Sequence, residues 1–120
     1  MSENFFSHPS YIGCAGEMRL EDNRMKSWEE QFNETGFDDT VTWSLDHSLV
    51  IWLLPRLKRY REIIGEALVN SNNFYEDVDF IIEGFELMLS KEYNDCDEKQ
   101  YKRVSESFEK LASIHGRLWW

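Results

Sequence analysis

Apolar residues recur at helical spacing in three long segments of the chain, and no segment alternates apolar and polar residues as a β-strand does. The first segment begins near Thr42 or Ser44, either of which can cap a helix, and continues to about Val69. Its buried stripe is predicted to consist of Leu45, Leu49, Trp52, Leu53, Leu57, Tyr60 and Ile64. Pro55 lies inside this pattern and removes one backbone donor, so it predicts a kink or a break near residues 51–54.

Two further helices are predicted after the Asn- and Ser-rich turn at residues 70–73. The second runs from about Phe74 to Tyr93, and the third follows Asp97, with Gln100 as a capping-box partner. The expected inner face of the second helix is Val78, Ile81, Ile82, Phe85, Met88 and Leu89. The third helix has a seam spaced by four and three, as in an antiparallel bundle: Tyr101, Val104, Phe108, Leu111, His115 and Leu118.

The first forty residues lack a long apolar period because proline and glycine interrupt them. A short helix is predicted over residues 21–32, with Met25, Trp28 and Phe32 on its apolar side. We therefore predict an all-α fold with an N-terminal arm over residues 1–40. The arm precedes a bundle of three main helices over residues 41–120.

Size and composition favour one small globular domain. The chain has 120 residues, is 42% hydrophobic and 15% aromatic, and can bury one real core. A bundle of this size does not easily bury so many aromatic rings, so some are expected at a surface that meets a partner. Two isolated cysteines, no secretory leader and no long apolar run predict reduced thiols and a cytoplasmic protein without a membrane span.

The formal net charge of −10 is concentrated in two regions, the first forty residues and residues 70–95. Direct binding of nucleic acid is disfavoured because phosphate contacts require a basic face. The negative electrostatic field of such a chain attracts a basic protein partner instead and speeds its association. The alternative interpretation, that the acidic residues only maintain solubility, remains open.

Sequence motifs for catalysis are absent. Neither Cys14 nor Cys96 has a neighbouring histidine, and no nucleophile elbow or phosphate-binding glycine loop occurs. The three histidines are far apart, without metal-ligand spacing. We therefore predict no catalytic, cofactor-binding or metal site, and structural roles for His47 and His115.

One carboxylate pattern supports an enzymatic alternative. Glu83 and Glu86 on the second predicted helix are three residues apart, and Glu106 and Glu109 on the third have the same spacing. Paired acids on adjacent helices can hold Mg²⁺ against a pyrophosphate. The spacing resembles that of all-α nucleotide pyrophosphohydrolases of the MazG and dUTPase type, which end the pattern with Asp where this chain has Glu109. The resemblance would imply a Mg²⁺-dependent nucleotide hydrolase.

The basic run at residues 56–61 contains four of the thirteen Lys and Arg residues of an acidic chain. Arg and Tyr together can bind phosphate or stack on RNA bases. The other interpretation, which we favour, is that these cations pair with acidic residues of the same chain.

A second resemblance concerns residues 42–90. The sequence Trp43-x-Leu45-Asp46, an apolar run and Leu54-Pro-Arg-Leu-Lys-Arg-Tyr60 resemble a group of small uncharacterised proteins from tailed bacteriophages and prophages. The resemblance implies a viral accessory protein acting in the cytoplasm of a host bacterium. It implies no catalytic residue.

These observations favour a non-enzymatic protein that binds and inhibits or modulates a bacterial protein, in the manner of anti-defence and anti-CRISPR proteins. Its acidic residues would cover a basic surface, and exposed aromatic residues would anchor the contact. The predicted contact residues are Glu76, Asp79, Glu83, Glu86, Asp38, Asp39, Trp43, Tyr75, Trp119 and Trp120. A self-associating scaffold protein, dimerising through the third helix, is the remaining alternative.

Overall fold

The computed structural model describes residues 4–19, 21–67 and 74–119. It contains four α-helices: α1 at Met25–Thr35, α2 at Leu45–Ala67, α3 at Phe74–Leu89 and α4 at Glu98–Ile114. Four short 3-10 turns lie at Phe5–Ser7, Ala15–Glu17, Asp39–Ser44 and His115–Arg117. The described part of the chain has no strand, which confirms the all-α prediction.

Backbone contacts divide the chain into two compact units, Met1–Ile51 and Trp52–Trp120. The boundary expected from the sequence, at residue 40, is earlier in the chain. The first unit extends into α2 because Val50 is fully buried and the Ser48 hydroxyl donates to the Val41 carbonyl at 2.9 Å. These contacts tie the first turns of α2 to the 3-10 turn that precedes it.

The first unit is built around a small aromatic cluster. Phe5, Ala15 and Trp28 are buried at its centre, and partly buried residues surround them: Phe6, Tyr11, Met18, Met25 and Phe32. The apolar side predicted for the short helix is confirmed, although α1 begins four residues later than expected. α1 ends at Gly36, whose φ of 89° requires glycine and whose N–H donates to the Phe32 carbonyl at 2.8 Å.

α2 is a single helix of 23 residues that contains Pro55. The break that we considered at this proline does not occur, and a bend there stays a prediction. The buried stripe differs from the predicted one. The buried apolar side chains of α2 are Val50, Leu54, Leu57 and Ile64.

Leu45, Leu49 and Trp52 were predicted to be buried on α2, and this is wrong: all three are exposed. For Leu49 and Trp52 the reason is that residues 49–54 are apolar on every side of the helix. Helical periodicity cannot decide which side of such a segment faces the core. The residues after the proline were assigned correctly, since Leu57 and Ile64 are buried.

α3 and α4 pack against each other in antiparallel orientation. Lys110, near the end of α4, has its Nζ 3.5 Å from Asp77 Oδ1 in the first turn of α3. Arg103, near the start of α4, donates to the carbonyl of Phe80, further along α3, at 2.8 Å. The predicted inner face of α3 is confirmed for Val78, Ile81, Ile82, Phe85 and Met88, while Leu89 is half-buried and ends the helix. The arrangement of a three-helix bundle stays a prediction.

The two helices approach most closely at Gly84. A methyl group at this position would overlap Ser107 Oγ and lie 2.7 Å from Ser107 Cβ. Next to this contact the rings of Phe85 and Phe108 meet at 4.9 Å between centroids. A residue without a side chain is therefore required at position 84 for this separation of the helices.

α4 begins as predicted at Asp97, whose carboxylate accepts hydrogen bonds from the backbone N–H groups of Lys99 and Gln100. The Gln100 side chain accepts from the Asn94 N–H at 2.6 Å instead of closing a capping box on Asp97. The buried residues of α4 are Val104, Ser107 and Ile114. Tyr101 and His115 of the predicted seam are exposed, because the buried stripe passes through Ser107.

Candidate protein-binding surfaces

Of the four α3 acids predicted to contact a partner, three are paired within the chain. Asp79 accepts from Arg61 at 2.8 and 3.3 Å, a two-point contact of guanidinium and carboxylate. Glu86 lies 3.4 Å from Lys58, and Glu83 lies 3.8 Å from Arg103. Partly exposed pairs of this kind add little to stability, but they reduce the charge available to a partner.

The basic run on α2 is therefore mostly intramolecular, as favoured from the sequence. Lys58 and Arg61 pair with α3, and Arg59 pairs with Glu62 at 2.9 Å on its own helix. Arg56 differs, since it contacts no carboxylate of the described residues. Its guanidinium lies 4.4 Å from the centroid of the Trp52 ring and donates to the Trp52 carbonyl at 2.8 Å.

An open groove of about 560 Å³ lies between the N-terminal half of α3 and the C-terminal half of α4. Its lining residues are Glu76, Asp77, Phe80, Glu106, Glu109, Lys110 and Ser113. We call this the acidic groove. Lys110 pairs with Asp77 at 3.5 Å, whereas Glu76, Glu106 and Glu109 form no ion pair with any described base. The acidic groove therefore concentrates unpaired negative charge on the second unit.

Asp38 was predicted to contact a partner from the surface, and the structure corrects this. The residue is completely buried, and its Oδ1 accepts from both the N–H and the hydroxyl of Thr40. It caps the 3-10 turn that starts at Asp39. A carboxylate in this position supports the first unit and cannot contact another protein, so we remove it from the candidate surface.

Thr40 is the centre of a buried polar network. Its only hydroxyl hydrogen goes to Asp38, so its oxygen must accept from the Cys14 N–H at 2.7 Å and from the Tyr11 hydroxyl at 3.0 Å. The Tyr11 oxygen in turn accepts from the Ala15 N–H at 2.9 Å. Burial, and next the contact with Asp38, raise the pKa of Tyr11 to about 12.

Two further groups border this network, the second carboxylate oxygen of Asp38 and the thiol of Cys14. Within the described residues, Asp38 Oδ2 is buried without a hydrogen-bond partner. The pKa of the Cys14 thiol is raised, first by burial and then by the charges of Glu17 and Asp38. Since the thiolate is the reactive form, this thiol is a poor nucleophile.

Comparison of the chain with known protein families, with curated proteins and with solved structures finds no match. Among the described residues, no helix is long and apolar enough to cross a membrane.

Asp39 and Trp43 lie on the first unit. Asp39 is exposed, and its Oδ2 and backbone N–H bind the Gln31 side-chain amide at 3.0 and 2.8 Å. Trp43 is half exposed and meets the buried Trp28 ring edge-on at 5.7 Å. The Arg24 guanidinium lies over both rings, at 4.7 and 5.6 Å from their centroids. Trp43 is thus held in place with one side open.

Asp22 positions the arginine that covers these two rings. Its carboxylate accepts from Arg24 Nε at 3.1 Å and Nη2 at 2.9 Å. Hydrogen bonds from the Arg24 side chain and backbone lower the pKa of Asp22 to about 2. The pair therefore stays charged at neutral pH.

Tyr75 and Trp119 belong to the second unit. The Tyr75 hydroxyl donates to the Ile64 carbonyl at 3.0 Å. The Arg61 guanidinium lies over its ring, 4.7 Å from the centroid. Both the hydroxyl and one face of the ring therefore make contacts within the chain. Trp119 is 72% exposed, and its carbonyl lies 3.2 Å from the Tyr60 hydroxyl. Trp120, also predicted as an anchor, lies outside the described residues.

The two glutamate pairs of the hydrolase alternative lie at different levels of the α3–α4 pair. Glu83 faces Arg103, whereas Glu106 and Glu109 line the acidic groove opposite the first turn of α3. The antiparallel register thus combines Glu106 and Glu109 with Glu76, not with Glu86. Among the described residues, no three His, Cys, Asp or Glu side chains are placed to hold a metal ion.

Proposed function

We propose that this protein binds a basic protein surface through the acidic groove and inhibits or modulates its partner by covering that surface. The observation that carries the proposal is the set of three carboxylates in the groove, Glu76, Glu106 and Glu109, that no described base neutralises. Most other acids near them on α3 are already paired. The groove therefore places three carboxylates without an ion-pair partner around one concave surface of the second unit.

The chemistry of the groove suits a lysine or arginine side chain. Carboxylates stand on both helices at its rim, and the Phe80 ring supplies an apolar wall for the aliphatic part of the incoming side chain. Once a partner covers the groove and excludes water, each charge-assisted hydrogen bond formed there would contribute roughly 1.5–3 kcal/mol, more than a pair left in solvent. A cluster of two or three cations on the partner would fit this charge better than a single one.

The net charge of −10 would act on the rate of association. An acidic protein attracts a basic surface over about one Debye length, roughly 8 Å at physiological salt. We therefore expect binding to weaken as salt is added. Such a partner surface is typical of a protein that itself holds nucleic acid.

The biological setting that we propose rests on the resemblance of residues 42–90 to small phage and prophage proteins. It suggests a phage-encoded protein in the host cytoplasm that blocks a host enzyme, in the way that anti-defence or anti-CRISPR inhibitors do. Occlusion of a nucleic-acid site by acidic side chains needs no catalytic residue of its own. We accordingly propose a non-enzymatic role.

Charge-matched variants test the proposal. Glu76→Lys with Glu109→Lys reverses charge in the groove, whereas Glu30→Lys with Glu34→Lys makes the same change on exposed positions of α1. The net charge of each double variant is four units more positive than the −10 of the natural chain. Each protein is immobilised and used to capture partners from a bacterial lysate, and the bound proteins are identified by mass spectrometry.

We expect the wild-type chain and the α1 variant to retain the same basic protein, and the groove variant to lose it. Equal loss in both variants would mean that total charge, not the groove, governs binding. Retention by the groove variant would contradict the proposal outright. Far-ultraviolet circular dichroism confirms that each variant remains helical.

A further inference from the structure

The acidic groove already holds one cation of its own chain. Lys110, near the end of α4, lines the groove, and its Nζ lies 3.5 Å from Asp77 Oδ1 in the first turn of α3. The Lys110 side chain is 39% exposed, so an incoming side chain can reach it. Both helices belong to the second unit and pack directly against each other. The place of this ammonium in the groove therefore rests on contacts within one unit.

Lys110 pairs across the two helices and not along its own helix. Glu106 precedes it by four residues, the order and spacing at which a glutamate and a lysine attract each other on one helix. The ammonium nevertheless lies beside Asp77, and Glu106 forms no ion pair with a described base. Lys110 thus neutralises one carboxylate of the groove and leaves Glu76, Glu106 and Glu109 unpaired.

The contact between Lys110 and Asp77 is loose. The 3.5 Å between Nζ and Oδ1 exceeds the roughly 2.7–2.9 Å of a charge-assisted hydrogen bond. Arg61 and Asp79, by comparison, are joined at two points, 2.8 and 3.3 Å. A partly exposed ammonium on a flexible alkyl stem loses little when it leaves such a pair. A cation of a partner can therefore compete with Lys110 for Asp77.

We propose that Lys110 is a built-in counter-ion that limits how tightly the acidic groove binds a basic partner. This inference rests on the proposed function of the groove. A lysine or arginine that enters the groove meets a like charge at Lys110, and like charges brought together at an interface reduce affinity. Removing the charge of Lys110 would also free Asp77 as a fourth carboxylate for the partner.

The effect of Lys110 is local. At long range a partner responds to the net charge of −10, which changes by one unit whichever lysine is neutralised. At short range the partner's cation lies in the groove, where Lys110 is the one base among the lining residues. We therefore expect neutralisation of Lys110 to slow dissociation, and neutralisation of a distant lysine to change affinity little.

Three single variants separate these effects. Lys110→Met keeps most of the aliphatic stem and removes the charge, whereas Lys110→Arg keeps the charge. Lys99→Met has the same net charge as Lys110→Met. Lys99 is exposed in the first turn of α4, about two turns before Glu106, and forms no ion pair with a described acid.

Fluorescence anisotropy of a labelled oligolysine peptide measures the affinity of each full-length variant. Lys110→Met should bind the peptide about three to ten times more tightly than wild type at low salt. Lys110→Arg and Lys99→Met should remain within about twofold of wild type. The advantage of Lys110→Met should decline as salt is added. Stopped-flow dissociation should show that the gain lies mainly in a slower off-rate.

Two further measurements serve as controls. A labelled peptide of glycine and serine, which carries no cation, should bind none of the variants more tightly than another. Far-ultraviolet circular dichroism should show the same helix content in all of them, because a partly exposed ion pair contributes little to folding.

The proposed function and this inference fail in different ways. Equal binding of oligolysine by the wild type and by Glu76→Lys/Glu109→Lys would overturn the proposed function, and this inference with it. A wild type that binds through the groove while Lys110→Met is unchanged or weaker would overturn this inference alone. Equal gains in Lys110→Met and Lys99→Met would also overturn it, since net charge would then explain the result.

Discussion

The first unit, ending at Ile51, and the second, beginning at Trp52, are stabilised in different ways. The first has one helix of 11 residues, short turns, a small aromatic cluster and a buried polar network. The second contains most of α2 together with α3 and α4, two long helices whose apolar faces meet, with ion pairs outside. The first unit therefore depends on a few specific polar contacts, and the second depends on repeated apolar packing.

The same contrast appears in the charges. The first unit contains ten acidic and three basic residues, and the second contains thirteen acidic and ten basic residues. Four bases of the second unit pair with acids of α3, and Glu76, Glu106 and Glu109 of the acidic groove are among the acids that remain unpaired. We propose that local pairing, more than the total charge of a region, decides where a basic partner would bind.

Removing the centre of the second unit should have the largest effect. Phe85 is fully buried on α3 and packs against Phe108. Phe85→Ala should lower the free energy of unfolding by about 3–5 kcal/mol through lost burial and a cavity. Tyr101→Ala, at an exposed aromatic position of the same unit, should change it by less than about 0.5 kcal/mol. Urea unfolding followed by circular dichroism compares them, and similar losses in both would be inconsistent with an apolar core at Phe85.

In the first unit the most sensitive position should be polar. Thr40→Val removes the hydroxyl that joins Asp38, Tyr11 and the Cys14 N–H, and leaves buried polar groups without partners. We expect a loss of about 2–3 kcal/mol in the free energy of unfolding. Thr42→Val, which removes an exposed hydroxyl bound to the Asp39 carbonyl, should cost less than about 0.5 kcal/mol. Urea unfolding followed by circular dichroism measures both, and equal stability of the two variants would show that the network is unimportant.

Glycine substitutions separate close packing from helix propensity. Gly84→Ala places a methyl group on Ser107 and should destabilise the α3–α4 contact by about 1–3 kcal/mol. Gly65→Ala on α2 meets only the end of the Arg61 side chain, so it should stabilise by up to about 1 kcal/mol. Thermal unfolding measures both. Opposite signs are expected, and a stabilising Gly84→Ala would mean that the helices are further apart than described here.

The polar network also predicts a dependence on alkaline pH. The folded chain holds the Tyr11 proton until about pH 12, whereas the unfolded chain releases it near the ordinary value of 10.0. Stability from this group is therefore complete below pH 10 and is lost as pH rises towards 12. Tyr11→Phe should flatten this decline, measured as the slope of unfolding free energy against pH. Part of the slope should remain because burial also raises the pKa of Tyr60.

The smallest expected effect belongs to the ion pair of Arg61 and Asp79. A double-mutant cycle with Arg61→Ala and Asp79→Ala should give a coupling of about 0.2–1 kcal/mol that declines with added salt. A coupling well above this range would mean that surface ion pairs, in addition to apolar packing, hold the second unit together.

Periodicity predicted the inner face of α3 well for a physical reason, although it was wrong at Tyr101 and His115 of α4. α3 and α4 each have a polar side, so the apolar residues of α3 could face only the neighbouring helix. On α2 the segment at residues 49–54 is apolar all round, and the prediction selected the wrong side at Leu45, Leu49 and Trp52. Only tertiary contacts decide such a case.

The candidate site was predicted only in part. Glu76 was identified from its acidic surroundings, but Asp38 looks identical to a surface acid until its burial is known. Glu106 and Glu109 were considered only as metal ligands paired with Glu83 and Glu86. Their place beside Glu76 follows from the antiparallel register of α3 and α4, which residue spacing within one helix does not specify.

The central claim is that unpaired acids in the groove, not the overall negative charge, bind a basic partner. Calorimetric titration of the captured partner with the wild-type chain, the Glu76→Lys/Glu109→Lys variant and the charge-matched Glu30→Lys/Glu34→Lys variant tests it most directly. We predict at least about a tenfold loss of affinity for the groove variant alone, equivalent to about 1.4 kcal/mol. Equal affinities for the two variants would contradict the claim.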